Sequence, residues 1–425
     1  MKKLIYLFLT VLIVGCGDDD GNPCLYNPTL TTSAVTNITE TSATLNGVIS
    51  IVSQNCDDPN NTEQGFVYAT TIQPTITNTK VNVNGTEVTT TLENLEPNTT
   101  YYARTFLTNA LGEFYGNEIS FMTEIRLDFS TAFTFESSGY IYDGTTGMVG
   151  SSAENSLFIA MRETNQNNAE RILKINLATN NITEKLFDLS QFVTKRLHIR
   201  GNQLIVFGGQ YVNTYNLDLS GGDPISVSHG KTLTRFGMTV LDDNVYIIGG
   251  DYGAEAEVEA KKIFRWNIDA ETFSEFTALP ETRYGANGTI VDDNLYVIGG
   301  RSQFTDYSTA LTTAYKININ NPSNVETFEI DQAINIAFVR RFQNLIYVAG
   351  QTYTFDENNQ TSAVNPIVAV YNTSDNTYQE LNTNLINTSG FDTIHQMCIV
   401  NGKIYIVYGG PDNGGLWEVL VSDLP

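Results

Sequence analysis

Short segments of alternating apolar and polar residues recur through the first part of the chain. They include residues 43–49, 64–68 and 101–107, and clusters of polar turn-forming residues separate them. Alternation with a period of two puts successive side chains on opposite faces of an extended strand. The pattern therefore predicts a module of half-buried strands over residues 27–124.

The larger part of the chain repeats another unit, an apolar strand that ends in glycine. The glycines that first follow these strands are Gly208, Gly249, Gly299, Gly350 and Gly409. Each strand follows a polar turn and precedes a second apolar strand, and a weaker copy has Met161 in the glycine position. A four-stranded sheet cannot bury both faces alone, so a repeat of about 50 residues indicates sheets that pack on their neighbours. At that spacing, residues 126–425 hold six units.

The recurring glycine pair, polar turn and aromatic strand resemble the kelch repeat. The resemblance implies a six-bladed β-propeller over residues 126–425, with a seven-bladed ring as the alternative. Met161 and Gln351 replace glycines of the pattern, and we expect weaker edges there. The last unit ends with its third strand at 416–421. We expect the alternating segment 127–135 to pair with that strand and close the ring, since an open edge would stay unprotected.

The run Leu-Glu-Pro-Asn-Thr-Thr-Tyr-Tyr-Ala-Arg at residues 95–104 resembles a fibronectin type III domain. The resemblance implies a two-sheet β-sandwich in which the Tyr101 hydroxyl bonds back to the chain. The tryptophan usual on the second strand is absent, and Leu45 takes its place. The expected fold class is therefore all-β, a fibronectin type III-like sandwich followed by a kelch-like propeller. The sandwich would serve as a rigid spacer.

The N-terminus has the pattern of an export signal. Lys2 and Lys3 precede a short apolar run that ends at Cys16. The run is too short to span a bilayer and is typical of a signal peptide. Its last residues resemble a bacterial lipobox, which implies removal of residues 1–15. Fatty acyl chains such as palmitate on Cys16 would then anchor the protein in outer-membrane lipid.

Residues 16–26 are expected to form an acidic tether. The run Asp18–Asp20 resembles the surface-export tag of outer-membrane lipoproteins in some Gram-negative bacteria, and a merely solvated tether is the alternative. An exported chain meets an oxidising compartment. Cys24 and Cys56 are therefore candidates for a disulfide, with two free thiols as the alternative.

Composition excludes several classes of function. The chain has 425 residues with 23 Lys and Arg against 47 Asp and Glu, a formal net charge of −24. Nucleic-acid backbones and anionic lipid surfaces need clustered positive charge, so we expect neither as a partner. Three His and four Cys are too few for an array of zinc sites. We expect no cofactor and no metal.

Exposed loops supply the candidate ligand-binding residues. In a propeller, the loops that enter the innermost strands and those that follow the glycine pairs share one face. Aromatic and arginine side chains on these loops are Arg235, Tyr252, Arg283, Tyr284, Arg301, Phe304, Tyr307 and Tyr353. Aromatic rings beside polar groups suit sugars, and Tyr and Arg also dominate protein interfaces. We expect a non-catalytic surface lipoprotein that binds a glycan or a protein, with carbohydrate favoured.

A propeller enzyme acting on carbohydrate is the alternative, as an epimerase, a lyase or a copper oxidase. A galactose oxidase-like copper site needs two His, two Tyr and a Cys. The propeller offers His198, His229, His395 and Cys398. His395 and Cys398 are three residues apart, so on a strand their side chains point to opposite faces, and we do not expect them to share one metal. An epimerase or lyase would need arginines converging with an acidic residue. The arginines to examine are Arg235, Arg283, Arg340 and Arg341.

Overall fold

The computed structural model describes residues 25–54, 59, 61–136, 146–162, 170–187, 194–251, 256–356, 361–385, 393–409 and 416–424. The protein is all-β, and it divides into a first unit, Met1–Arg126, and a second unit, Leu127–Leu424. The signal peptide, Cys16, Cys24, Cys56 and Tyr252 of the sequence predictions lie outside the described residues. Within the described part, no helix has the length and hydropathy of a membrane span.

The first unit consists of two antiparallel sheets. Its strands are β1 (Leu25–Thr32), β2 (Ala43–Gln54), β3 (Asn61–Ala69), β4 (Thr79–Asn82), β5 (Glu87–Leu92), β6 (Thr100–Asn109), β7 (Gly112–Tyr115) and β8 (Ile119–Met122). One sheet has the order β1-β2-β5, and the other has the order β4-β3-β6-β7 with β8 paired to β6. Alternate residues of both sheets, among them Leu45, Phe66 and Val88, form one buried cluster. The alternation in the sequence thus marks the faces that meet.

Tyr101 fastens one end of this first unit. Its ring is buried and stacks on Phe121 with the centroids 5.7 Å apart. Its hydroxyl oxygen accepts a hydrogen bond from the backbone N–H of Glu96 at 3.0 Å. This is the backward bond that the resemblance implied for Tyr101. Leu45, at the position where tryptophan was expected, is fully buried.

Within the described residues, the second unit contains six sheets of three or four strands, a further two-stranded sheet and short connecting elements. Its elements are β9 (Arg126–Leu127), β10 (Ser130–Glu136), β11 (Gly147–Ser151), β12 (Ser156–Arg162), β13 (Glu170–Asn176), β14 (Ile182–Phe187), β15 (Arg196–Arg200), β16 (Gln203–Asn216), β17 (Ile225–Leu233), β18 (Gly237–Leu241), β19 (Asn244–Ile248), α1 (Ala256–Glu259), β20 (Lys262–Asn267), β21 (Thr272–Ala278), β22 (Asn287–Val291), β23 (Asn294–Ile298), a 3-10 turn (Tyr307–Thr309), β24 (Thr313–Asn318), β25 (Val325–Glu329), β26 (Ile336–Phe342), β27 (Leu345–Phe355), β28 (Thr361–Asn372), β29 (Thr377–Glu380), β30 (Asn382–Thr383), β31 (Thr393–Val400), β32 (Lys403–Gly409) and β33 (Leu416–Asp423). In chain order, we call β11–β14 sheet 1, β15–β17 sheet 2, β18–β21 sheet 3, β22–β25 sheet 4, β26–β29 sheet 5, and β31–β33 with β10 sheet 6.

The first strands of the six sheets are neighbours in a closed order. β11 contacts β15, β15 contacts β18, β18 contacts β22, β22 contacts β26, β26 contacts β31, and β31 contacts β11. Apolar clusters fill the spaces between sheets 1 and 2, 2 and 3, 3 and 4, 4 and 5, and 6 and 1. A lone sheet cannot bury both faces, and here each sheet packs apolar side chains on a neighbouring sheet.

Sheet 6 combines strands from both ends of the second unit. β10 pairs antiparallel with β33, from Ser130 opposite Val421 to Glu136 opposite Leu416. From the sequence, this pairing was expected to begin at residue 127. It begins later because the backbone of Phe129 is bonded elsewhere. The amide of Asn384 accepts from the Phe129 N–H at 2.7 Å and donates to the Phe129 carbonyl at 2.8 Å.

Sheet 2 has three strands where its neighbours have four. Its β16 is 14 residues long, and it covers the two apolar stretches that the sequence pattern separates. The backbone N–H of Leu217 donates to the carbonyl of Asn202 at 3.0 Å. This bond joins the residues on either side of β16. The two halves of the strand therefore lie side by side and occupy the positions of two strands.

The glycine that ends β19 is required by close packing. Gly249 has a φ of +54°, and a Cβ there would lie 2.1 Å from the carbonyl oxygen of Arg283. In β27, Gly350 stands at the place of Gly249, and Gln351 stands at the place of Gly250. Gln351 is fully buried, and its Nε2 donates to the carbonyl of Ile394 in sheet 6 at 2.9 Å. This bond joins Gln351 to the neighbouring sheet, and the weaker edge expected there stays a prediction.

Candidate functional site

A central cavity lies inside the circuit of first strands. Its volume is about 220 Å³. Every one of the six sheets contributes a lining residue from its first strand: Val149, Arg196, Met238, Gly288, Arg340 and Gln396. Because the strands converge here, short stretches far apart in sequence meet around one small volume.

Arg196 is held in the cavity wall by backbone carbonyls. The side chain is 3% exposed, and its Nη1 donates to the carbonyls of Lys195 at 2.8 Å and Thr146 at 3.3 Å. Its guanidinium carbon lies 5.6 Å from the centroid of the Phe236 ring. Burial, and then the positive charge of Arg340, lower the pKa of Arg196 to about 9. The group therefore stays charged at neutral pH.

Arg340 reaches the same cavity from sheet 5. The residue is half-buried, and its Nη1 donates to the carbonyl of Val339 at 2.8 Å. Burial lowers its pKa. The described residues that line the cavity include no Asp or Glu. The cavity wall is therefore positive, in a chain whose net charge is −24.

The other polar lining residues are neutral. Gln396 is oriented by two bonds, from its Nε2 to the Thr146 carbonyl at 2.9 Å and from the Met397 N–H to its Oε1 at 3.0 Å. Burial, and then the charge of Arg200, lower the pKa of His198. Its imidazole is therefore uncharged at pH 7, and the two arginines supply the charge of the cavity.

Several predicted loop residues form one network of contacts. The guanidinium carbon of Arg235 lies 4.5 Å from the centroid of the Phe304 ring. The centroids of the Phe304 and Tyr284 rings lie 5.6 Å apart, with the ring planes at 70°. The guanidinium carbon of Arg301 lies 4.3 Å from the centroid of Tyr307. We call Arg235, Tyr284, Arg301, Phe304, Tyr307 and Tyr353 the aromatic–arginine cluster.

Two further contacts complete this cluster. Arg301 donates from Nε and Nη2 to the carbonyl of Phe304 at 3.1 and 2.7 Å, which joins its two halves. The Tyr307 and Tyr353 rings lie 4.8 Å apart at an angle of 31°. The Tyr353 hydroxyl donates to Oε1 of Gln351 at 3.0 Å. Arg235, Phe304, Tyr307 and Tyr353 are half-buried, so each keeps some surface for a ligand.

Three of the predicted ligand-binding residues are buried instead. Arg283 and Arg301 are 0% exposed and Tyr284 is 2% exposed. The prediction that they contact a ligand is therefore corrected. Arg301 and Tyr284 support the loop residues above them. Arg283 has no place in the aromatic–arginine cluster.

Arg283 is bonded to groups inside the second unit. Its Nη2 donates to Oε1 of Glu281 at 2.8 Å and to Oγ1 of Thr313 at 2.7 Å, and its Nη1 donates to the carbonyl of Gly299 at 3.0 Å. Burial opposes the charge of Glu281, but hydrogen bonds from Thr313 and Tyr315 and the charge of Arg283 outweigh it and lower the pKa of Glu281. The pair is a structural clamp.

The four arginines that would identify an epimerase or lyase do not converge. Arg235 lies on Phe304, Arg283 is bonded to Glu281, Arg340 lines the cavity, and the exposed Arg341 donates to the carbonyl of Gln343 at 2.8 Å. Arg196 was not among the predicted site residues. The signal for it was the alternation of polar and apolar residues along β15, whose sequence is Arg-Leu-His-Ile-Arg.

The histidines are packed into the structure. Nε2 of His395 lies 3.0 Å from the carbonyl oxygen of Gly409, and His229 stacks on Phe273 with the centroids 5.4 Å apart. Burial raises the pKa of the Cys398 thiol to about 12, so the thiol is protonated at neutral pH. Across the described residues, no group of three or more His, Cys, Asp or Glu could hold a metal ion.

Comparison with known proteins gives little. No family model matches the sequence, and no curated protein matches it. Among solved structures, one described as "Structure of YjhT" is similar, with 10% sequence identity and a TM-score of 0.48 over 68% of this chain and 99% of that chain. A similarity of this size carries no conclusion about function.

Proposed function

We propose that the protein is a cell-surface lipoprotein in which a fibronectin type III-like sandwich carries a six-bladed kelch-like β-propeller. Support for the propeller comes from the closed order of six first strands and from the pairing of β10 with β33. Support for the sandwich comes from the two sheets with a shared core and from the Tyr101 bond. The lipid anchor rests on the sequence around Cys16.

The propeller acts in this proposal as a non-catalytic binding module. The observation that carries it is the aromatic–arginine cluster, in which half-buried rings are packed on arginine side chains. Arg301 bonds the backbone carbonyl of Phe304 and lies over the Tyr307 ring, and Arg235 lies over the Phe304 ring. Little conformational entropy is therefore lost when a ligand packs on these rings. Flat rings beside a guanidinium suit the apolar face and edge hydroxyls of a sugar. Carbohydrate is therefore the favoured ligand, and a protein is the second candidate.

Binding to a glycan array, with the full-length protein in detergent, tests this function. Tyr307→Ala and Phe304→Ala should each lower glycan affinity about thirtyfold, because truncating an anchoring aromatic costs about 2 kcal/mol. Tyr102→Ala, on a half-buried tyrosine of the first unit, is the matched control and should bind as the parent does. Unchanged affinity in both loop variants would refute the loop site. Stoichiometric copper in the purified protein would refute the non-catalytic assignment.

The lipid anchor has its own test. Mass spectrometry of the mature protein should find residues 1–15 removed and acyl chains on Cys16. Cys16→Ser should release the protein from the membrane fraction, because the acyl chains supply the membrane affinity. A mature chain that keeps residues 1–15 would contradict the lipoprotein assignment.

A further inference from the structure

The charge of the central cavity calls for a partner of opposite sign. Arg196 belongs to sheet 2 and Arg340 to sheet 5, and these sheets are three steps apart in a circuit of six. The two side chains therefore reach the cavity from opposite walls. Each charge disfavours the other across a medium that is largely protein. Two like charges in such a place cost folding free energy unless a ligand or an internal acid compensates them.

Part of the wall between the arginines is apolar. Met148, Leu197 and Met238 line the cavity beside them, and apolar walls strengthen any charge interaction inside. The described lining residues contain no carboxylate that could compensate the arginines. A volume of about 220 Å³ exceeds that of a few water molecules, each of which takes roughly 30 Å³ in the liquid.

The hydrogen-bonding pattern indicates where a ligand would bind. Arg340 makes one hydrogen bond within the described residues, from Nη1 to Val339. A guanidinium has five N–H donors in a planar fork that matches a carboxylate. Arg196 is positioned by the carbonyls of Lys195 and Thr146 and brings its full positive charge to the same cavity. The fork of Arg340 thus has donors to offer, and the charge of Arg196 adds to it.

We propose that the central cavity binds a small organic anion through a carboxylate that Arg340 and Arg196 hold together. The apolar wall residues contact the body of the ligand, which favours an organic acid over a bare inorganic ion. This site differs from the aromatic–arginine cluster in residues and in chemistry. It does not depend on glycan binding at the loops.

Calorimetric titration of the full-length protein tests the site. The probes are sodium pyruvate, sodium glucuronate and inorganic phosphate, with sodium chloride at matched ionic strength as the control. We expect saturable binding of at least one carboxylate with one ligand per chain, and a melting temperature that rises with its concentration. Binding of phosphate but of neither carboxylate would overturn the assignment of the ligand class. Binding of none of the three would overturn the site.

Variants separate this site from general electrostatics. Arg340→Met should lower carboxylate affinity about tenfold or more, since a charge-assisted bidentate contact is lost. The same variant should melt at a higher temperature than the parent in anion-free buffer, because a repelling charge is removed. Arg341→Gln, which removes an exposed charge next in sequence, is the matched control and should change neither quantity. Equal loss of affinity in both variants would refute the site.

A loop variant distinguishes the two proposals. Phe304→Ala should lose glycan affinity and keep carboxylate affinity. If no glycan binds while the carboxylate titration saturates, the loop proposal fails and the cavity proposal stands. If glycan binding depends on Phe304 while no probe enters the cavity, the cavity proposal fails and the loop proposal stands.

Discussion

Arg283, in the loop that precedes β22, and Arg340, on β26, have opposite surroundings. Arg283 has no exposed surface, and its fork donates to a carboxylate, a hydroxyl and a carbonyl. Arg340 is half-buried beside an open volume and makes one backbone bond in the described part of the chain. An arginine with its partners supplied by the protein is part of the framework. An arginine that faces a cavity beside another arginine is a candidate for binding something from outside.

The largest expected effect is the loss of stability when Arg283 is replaced. Arg283→Met removes three hydrogen bonds and leaves the Glu281 carboxylate without its ion pair. Breaking a buried pair costs about 3–5 kcal/mol, and the one-third exposure of Glu281 puts our expectation near the lower end, about 3 kcal/mol. Urea unfolding measures this loss. A variant as stable as the parent would show that Arg283 does not clamp the second unit.

A second prediction concerns the pH dependence of stability that His229, a packed histidine, contributes. Burial lowers the pKa of His229 to about 4, whereas an unfolded chain binds that proton near pH 6.5. The unfolded state therefore takes up more protons between these values, and stability falls as pH drops from 6.5 to 4. His229→Phe should flatten this dependence by up to about 1.4 kcal/mol per pH unit. Urea unfolding at pH 4–7 measures the slope, and an unchanged slope would place the titrating group elsewhere.

Gln351 offers a smaller test of the framework. Gln351→Gly restores the glycine of the repeat but removes the bond to the Ile394 carbonyl and the acceptor for the Tyr353 hydroxyl. We expect a loss of about 2 kcal/mol in unfolding free energy, because the buried Ile394 carbonyl and the Tyr353 hydroxyl each lose a partner. Thermal unfolding checks it. A gain in stability would mean that the repeat pattern outweighs these two bonds.

The smallest effect is expected at Arg341. This residue is exposed, and Arg341→Gln should change the unfolding free energy by no more than about 0.5 kcal/mol. The same urea titration used for Arg283→Met provides the comparison. A loss as large as that of Arg283→Met would show that burial does not separate the roles of these arginines.

The local pattern of apolar and polar residues was enough to predict the strands and their grouping into repeats. Period-two alternation identified the faces that form the core of the first unit, as the burial of Leu45 and Phe66 illustrates. The later start of β10 could not be read from alternation, because it depends on Asn384, which lies 255 residues away in sequence from Phe129. A contact between residues so far apart in sequence does not change the local alternation of apolar and polar residues.

The candidate sites were harder to predict for the same reason. Arg283, Tyr284 and Arg301 look like exposed loop residues in the sequence, and only the packing of neighbouring sheets buries them. The cavity draws one short stretch from each of six sheets, so no motif in the sequence marks it. Arg196 sits in an ordinary strand, and its significance appears only when Arg340 faces it across the circuit.

The antiparallel match of β10 with β33 sets the order of assembly. Its partners, such as Ser130 and Val421, are separated by nearly the whole second unit, so bringing them together carries the largest loop-closure cost in the chain. During synthesis, sheet 6 cannot form until β33 has left the ribosome. Until then β10 lacks its partner strand, and proteolytic removal of β33 would expose that edge again.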